Sequence, residues 1–133
     1  MTEPQKRVLI MEDNVGLALN WKLAFELNAC EVVLSHSGDE AIDFLEAEKF
    51  DLVITDMFVP NKNGGLHVLM KLFTMGRDAP PAIAVTGEIH SMGDNRTTNV
   101  FLDQASRLGA AKHLQKPFPA GELVLMAHSF WEL

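Results

Sequence analysis

The chain has 133 residues, of which 47% are hydrophobic and 22% are charged, and this length and composition are typical of one folded domain. Its formal net charge of −7 argues against direct binding to nucleic acid, because contacts with phosphates depend on Lys and Arg. No apolar stretch approaches the roughly 20 residues that a membrane span needs, and the polar residues 1–6 carry no secretory signal. The single cysteine, Cys30, cannot form an intrachain disulfide, which fits a reducing compartment. We therefore expect a cytoplasmic protein.

Five strand-like runs alternate with helix-like segments along the chain. The runs cover residues 7–11, 31–35, 51–55, 82–85 and 111–115. The helices cover about residues 15–28 and 39–48, a segment between Gly65 and Gly76, and about residues 99–108 and 120–132. Apolar strands that alternate with amphipathic helices are typical of a parallel sheet with helices on both faces, so the order predicts an α/β fold.

The apolar positions of the helices predict which side of each helix is buried. In the first helix, Val15, Leu19, Leu23 and Leu27 recur every four residues. The third helix has Leu66, Leu69, Met70 and Phe73 on one side, and the last helix has Leu123, Met126, Ala127 and Phe130. We expect these three rows to face the sheet.

Four of the strand-like runs end on polar residues that are costly to bury. The first run is followed by Glu12 and Asp13, the third by Asp56, the fourth by Thr86 and the fifth by Lys116. If these strands are parallel neighbours, the five side chains share the sheet edge where α/β proteins bind ligands. Three carboxylates close together repel one another and favour a divalent cation, so the pattern predicts a site for a hard metal ion and an anion. The alternative for any single run is that the strand simply ends at a polar residue.

These residues resemble the signature of a known family, the receiver domains of two-component response regulators. The resemblance covers nearly the whole chain and rests on the acidic pair Glu12-Asp13, on Asp56 with Pro60 and Gly64 beyond it, on Thr86-Gly87, and on Lys116-Pro117-Phe118. It implies a flavodoxin-like, doubly wound sheet of five parallel strands in the order 2-1-3-4-5, with the site at its topological switch point.

The resemblance also implies a role for each site residue. Asp56 is the expected phosphoacceptor, a carboxylate nucleophile that takes a phosphoryl group from a phosphohistidine. A Mg²⁺ or Mn²⁺ ion is expected among oxygen ligands from Glu12, Asp13, Asp56 and the backbone carbonyl of Phe58.

The remaining implied roles concern the phosphoryl group and the conformational switch. The Thr86 hydroxyl, the Gly87 N–H and the Lys116 ammonium are expected to bind phosphoryl oxygens. Thr86 is also expected to move as part of the switch, together with position 113. The Lys116–Pro117 peptide bond is expected to be cis.

Three features depart from the family pattern, and one of them is Phe58, which with Glu88 flanks the path of attacking water. Position 113, usually aromatic, is His113 here, which leaves open whether it supports the usual switch, adds pH sensitivity or is a partly exposed strand residue. The interval between Thr86 and Lys116 is longer than usual, and residues 88–98 form the extra loop, which is either a lid or partner surface or a plain insertion.

The sequence therefore predicts one receiver domain over residues 1–133, with no effector domain, that acts as a signalling phosphoacceptor and not as an enzyme. Its expected partners are a histidine kinase or histidine phosphotransfer protein and a downstream protein that binds the fourth helix, fifth strand and fifth helix, a face that also permits a homodimer. Two alternatives remain at this point: a receiver-like binding module that is not regulated by phosphorylation, and a small metal-dependent phosphatase.

Overall fold

A computed structural model of the chain describes residues 5–57, 64–87 and 106–131. The strands are β1 (Arg7–Met11), β2 (Glu31–Ser35), β3 (Leu52–Asp56), β4 (Ala82–Thr86) and β5 (Lys112–Gln115). The helices are α1 (Val15–Leu27), α2 (Gly38–Ala47), α3 (Gly65–Met75) and α4 (Ala120–Trp131), and a short 3₁₀ turn covers Gly76–Asp78. In the part of the chain that the structure describes, no helix is long and apolar enough to cross a membrane.

The five strands form one parallel sheet in the order β2-β1-β3-β4-β5, which confirms the predicted doubly wound α/β fold. The register brings the predicted site residues level with one another. Met11 pairs with Thr55, so Glu12 and Asp56, the next residues along β1 and β3, come to the same edge of the sheet. Thr86 pairs with Gln115 at the same edge, and Lys116 follows directly.

The sheet has a hydrophobic core on each face because successive strand residues point to opposite sides. Val8 and Ile10 of β1 belong to the core that contains α1 and α4, whereas Leu9 and Met11 belong to the core that contains α2 and α3. These four side chains are fully buried, so β1 is covered on both faces, as its continuous apolar sequence predicts.

The predicted buried row of α1 is wrong. Val15, Leu19, Leu23 and Leu27 are 60%, 47%, 59% and 86% exposed, and the helix instead buries Ala18, Trp21 and Phe25. A spacing of four residues advances by about 40° around a helix at each step, so the predicted row winds across the surface. The buried residues have the spacing of one face, and they include two large aromatic side chains.

The predicted face of α3 is wrong in part. Leu69 is buried as expected, but Met70 and Phe73 are 50% and 63% exposed, and Leu66 is only partly buried. Val68 and Leu72 are buried in their place. The rotation of α3 follows from Gly65, which packs against the strand, because residues three, four and seven positions later lie on the same side of a helix.

The prediction for the last helix agrees with the structure. Leu123 and Ala127 of α4 are buried, and Met126 and Phe130 pack partly buried against the same core. Of the predicted helix over 99–108, only the end is described, where Ser106 and Arg107 are helical. The predicted loop over 88–98 lies outside the described residues.

Candidate functional site

Three carboxylates and one ammonium meet at the carboxyl ends of the strands. One carboxylate oxygen from each of Glu12, Asp13 and Asp56 lies within 4.8 Å of the others. The Nζ atom of Lys116, which follows β5, lies 2.6 Å from Glu12 Oε1 and 3.2 Å from Asp56 Oδ2. Four of the residues that the sequence analysis selected are therefore brought together.

The electrostatics of this cluster follow from burial and from the excess of negative charge. Glu12 is fully buried. This burial and the neighbouring charge of Asp56 raise the pKa of Glu12 to about 7. Hydrogen bonds from Lys116 and from the backbone of Asn14 lower the pKa but do not cancel the increase. Burial lowers the pKa of Lys116, but the hydrogen bond to Glu12 and the charges of Asp56 and Glu12 outweigh it, and the pKa is raised. One ammonium does not neutralise three carboxylates, so the donor set suits a small divalent cation.

The end of β2 holds the backbone around Glu12. The Glu12 N–H donates to the Ser35 carbonyl at 3.1 Å, and the Nδ1 atom of His36 lies 3.1 Å from the Glu12 carbonyl oxygen. Glu12 Oε2 accepts the N–H of Asn14 at 3.1 Å. Ser35 and His36 had no predicted role, although their position at the end of the strand beside β1 was a usable signal.

A glycine holds the backbone around Asp56. Asp56 is the last residue of β3 and is 3% exposed, and the N–H of Met57 donates to the Val85 carbonyl at 2.8 Å. A Cβ atom added to Gly65, the first residue of α3, would lie 2.2 Å from the Asp56 carbonyl oxygen. Position 65 therefore has no room for any side chain. Gly65 was predicted only as the boundary of the third helix, and its close approach to Asp56 was missed.

Thr86 lies at the end of β4 with its hydroxyl buried. Among the described residues, the Oγ1 atoms of Thr86 and Thr55 have no hydrogen-bond partner. The Thr86 carbonyl accepts the N–H of Lys116 at 2.9 Å, and this bond ties Lys116 to β4. Gly87 follows directly and is partly buried, so a hydroxyl and a lysine come from adjacent strand ends.

Comparisons with known proteins agree with this geometry. The family model for the response regulator receiver domain matches residues 8–128. The chain belongs to this family. As a receiver domain, it is a signalling domain of the kind that two-component systems use as phosphoacceptors.

The curated relatives of this receiver domain are response regulators. The chain is 32% identical over 119 residues to the transcriptional regulatory protein CrdR of Helicobacter pylori, which covers 90% of this chain and 52% of that protein. It is 28% identical over 130 residues to the transcriptional regulatory protein CpxR of Escherichia coli, which covers 94% of this chain and 51% of that protein. The chain thus spans about half the length of these relatives.

Solved receiver structures have the same fold. A CheY-like receiver domain protein from Methanospirillum hungatei has a TM-score of 0.79 at 25% identity and covers 95% of this chain and 93% of that one. A receiver domain protein from Clostridium thermocellum has a TM-score of 0.75 at 26% identity, and the match covers 94% of this chain and 93% of that one. These similarities agree with the strand order of the sheet.

The remaining predicted site residues of the receiver domain have different outcomes. The Lys116–Pro117 bond is cis. His113 is exposed on β5, where it pairs with Ala84 of β4. The backbone carbonyl of Phe58, which the resemblance implies as a metal ligand, and Pro60 lie outside the described residues.

Proposed function

We propose that Asp56 accepts a phosphoryl group from a phosphohistidine of a histidine kinase or a histidine phosphotransfer protein, and that the acyl phosphate switches the conformation that a separate partner recognises. The observation that carries this proposal is the ammonium of Lys116 within hydrogen-bond distance of both Glu12 and Asp56. A carboxylate beside a fixed cation and two further acids suits phosphoryl transfer, which depends mainly on positioning and on charge neutralisation.

In the proposed reaction, Asp56 is the nucleophile. A carboxylate oxygen of Asp56 forms a bond to phosphorus while the bond from phosphorus to the imidazole nitrogen breaks, and that nitrogen keeps the electron pair. The product is an acyl phosphate on Asp56 and a free imidazole on the donor. A carboxylate nucleophile carries no proton, so the reaction needs no general base to activate it.

Glu12, Asp13 and Asp56 would hold Mg²⁺, or Mn²⁺, together with the carbonyl of Phe58. The three carboxylates are oxygen donors that lie within 4.8 Å of one another, which fits a small hard cation that keeps part of its water shell. When bound, the ion supplies positive charge that offsets the charge on the phosphoryl oxygens.

Lys116, Thr86 and Gly87 would bind the transferred group. The Lys116 ammonium would turn from the carboxylates to a phosphoryl oxygen as a compact point charge. The buried Thr86 hydroxyl, which has no partner among the described residues, would gain an acceptor. Satisfying a buried hydroxyl is favourable, and this gain would draw Thr86 toward the phosphate as the first step of the switch, with His113 the next candidate along β5.

The output would pass to a separate protein in the cytoplasm, which would bind the phosphorylated receiver domain. The proposed surface consists of the predicted helix over 99–108, β5 and α4. On α4, Leu125 is 74% exposed and Phe130 and Trp131 are partly exposed, and apolar side chains of this kind suit a protein partner or a second receiver.

The experiment that tests the proposal is phosphorylation with acetyl phosphate and Mg²⁺, followed by intact mass. We expect a Mg²⁺-dependent adduct of one phosphoryl group in the parent chain and none in Asp56→Asn. Asp43→Asn is the matched control, because Asp43 is exposed on α2 and is not one of the three clustered acids.

The other outcomes separate the alternatives. A folded protein that binds Mg²⁺ and never forms the adduct would favour a binding module that works without phosphorylation. Continued release of phosphate from a phosphoester, with many turnovers for each protein molecule, would favour a phosphatase. Either result would overturn the proposed function.

A further inference from the structure

The aromatic ring of Trp21 packs beside the ammonium of Lys116. Trp21 of α1 is 1% exposed and is the largest fully buried side chain. Its ring centroid lies 5.8 Å from Lys116 Nζ. The same ring stacks on Phe118 with the centroids 5.5 Å apart and the planes 18° from parallel. Trp21 therefore contacts both the functional lysine and the aromatic residue two positions beyond it.

We infer that Trp21 is a positioning residue that holds the Lys116 ammonium at the carboxylates and so sets the rate of phosphoryl transfer. This inference rests on the proposed function of Asp56 and Lys116. Lysine has a flexible four-carbon chain with many rotamers, and a rigid neighbouring side chain restricts these rotamers and keeps the ammonium in one position. The negative face of an indole attracts an ammonium at distances up to about 6 Å, and the observed distance is within that range.

Packing alone does not favour tryptophan at this position. The core around Trp21 is formed by aliphatic and aromatic side chains such as Ile10, Phe25 and Leu123, and phenylalanine or leucine would suit it. The Nε1 atom of Trp21 is buried with no hydrogen-bond partner in the described part of the chain. A buried unpaired N–H is unfavourable, so the indole carries a cost that an apolar side chain would avoid. The contact with Lys116 and the stacking on Phe118 are the gains that offset it.

Phe118 makes the arrangement more rigid. Because the ring of Trp21 contacts both Lys116 and Phe118, it joins α1 to the start of the segment between β5 and α4. The backbone of Lys116 is also tied to Thr86 at the end of β4. The lysine is thus held at its backbone by β4 and at its ammonium by the two carboxylates and the indole.

The test compares phosphorylation rates of variants with acetyl phosphate and Mg²⁺. We expect Trp21→Leu to slow adduct formation by about two- to thirty-fold, the range that corresponds to a cation–π contact, and Trp21→Phe to have a smaller effect. Phe25→Leu is the matched control: Phe25 is fully buried on the same helix, whereas the cation–π contact of Lys116 on α1 is with Trp21. It should lower the free energy of unfolding and leave the rate unchanged.

A double-mutant cycle separates positioning from simple packing. In a Lys116→Met background, Trp21→Leu should have no further effect on the residual rate, because there is no ammonium to position. An equal slowing in both backgrounds, a similar slowing in Phe25→Leu, or a folded Trp21→Leu that reacts at the parent rate would each overturn the inference. Failure of the parent chain to form any adduct on Asp56 would instead overturn the proposed function.

Fluorescence gives a second readout that needs no rate. In a Trp131→Phe chain, Trp21 is the remaining tryptophan, and its emission should change when Mg²⁺ and beryllofluoride turn the ammonium from the carboxylates to the bound anion while it stays against the ring. The same addition should not change the Trp21 emission in a chain that also carries Lys116→Met. Unchanged Trp21 emission in the Trp131→Phe chain, with beryllofluoride binding verified by native mass, would contradict the inference even if Lys116→Met is too slow for the cycle.

Discussion

Glu12 has a very different environment in the folded protein from the one it has in the unfolded chain. In the folded protein it is fully buried beside Asp56, and its pKa is raised to about 7, whereas the unfolded chain ionises it at about 4.5. A carboxyl group whose pKa is raised in the folded state makes that state progressively less stable as pH rises through the interval where only the unfolded chain has lost the proton. The protonation of one side chain therefore links pH to stability at this site.

We predict that, without Mg²⁺, the contribution of Glu12 to the free energy of unfolding falls as pH rises from about 4.5 to about 7 and is constant above that interval. A pKa difference of this size corresponds to about 3 kcal/mol. Urea unfolding of the parent and of Glu12→Gln across this range measures the contribution as the difference between the two proteins.

Glu40→Gln is the control for this pH series, because Glu40 is exposed on α2 and should keep the parent slope. Parallel curves for the parent and Glu12→Gln would show that Glu12 titrates in the folded protein as it does in the unfolded chain.

At the scale of the elements, the close approach of α3 to the end of β3 fixes both the rotation of the helix and the position of Asp56. The rotation predicted from the sequence pattern of α3 was wrong in part, because apolar residues occur on more than one side of the helix. Gly65 decides it, since only a residue without Cβ allows the helix to begin against the Asp56 carbonyl.

We predict that Gly65→Ala lowers the free energy of unfolding by about 3 kcal/mol or more, because the added methyl group would overlap backbone atoms that cannot move independently. It should also slow phosphorylation, because relief of the overlap displaces Asp56. Gly121→Ala is the matched control in α4, where an added Cβ meets no atom within 4 Å, and it should raise stability by up to about 1 kcal/mol. Equal urea midpoints for the two variants would disprove the close approach.

The two faces of α1 give another prediction at this scale. Phe25 is fully buried and Leu27 is 86% exposed, although periodicity favoured the row that contains Leu27. Phe25→Ala should lower the free energy of unfolding by about 3–5 kcal/mol, and Leu27→Ala by less than about 1 kcal/mol. Chemical denaturation of the two variants checks the assignment, and a larger loss for Leu27→Ala would restore the original prediction.

At the scale of the whole molecule, the sequence was sufficient for the sheet and for the residues that meet at its edge. Continuous apolar runs such as 52–55 identify strands that are buried on both faces, and polar residues at their ends identify the ligand edge. The rotation of α1 was not available from the sequence, because α1 has two apolar rows and the choice depends on tertiary contacts of Trp21 and Phe25. Contacts between distant backbone segments, such as Gly65 with Asp56, leave no periodic signal.

Mg²⁺ should couple the site to the stability of the whole domain. An ion that binds only the folded protein stabilises it by about 2.7 kcal/mol at a hundred times its dissociation constant. We predict that Mg²⁺ raises the free energy of unfolding of the parent chain, measured with urea, by an amount of this order. The increase should be smaller in Asp13→Asn at the same Mg²⁺ concentration, because one clustered carboxylate is lost. Asp43→Asn should respond as the parent does. The same Mg²⁺ stabilisation in all three proteins would exclude Asp13 from the metal site.

The central claim is that Asp56 carries the phosphoryl group, and the most direct measurement is localisation of the modification on the parent chain. After reaction with acetyl phosphate and Mg²⁺, borohydride reduction converts an acyl phosphate into an alcohol, which peptide fragmentation assigns to a single residue. We predict reduction at residue 56, with residues 12, 13 and 51 unchanged. Reduction at any other carboxylate, with Asp56 intact, would contradict the account.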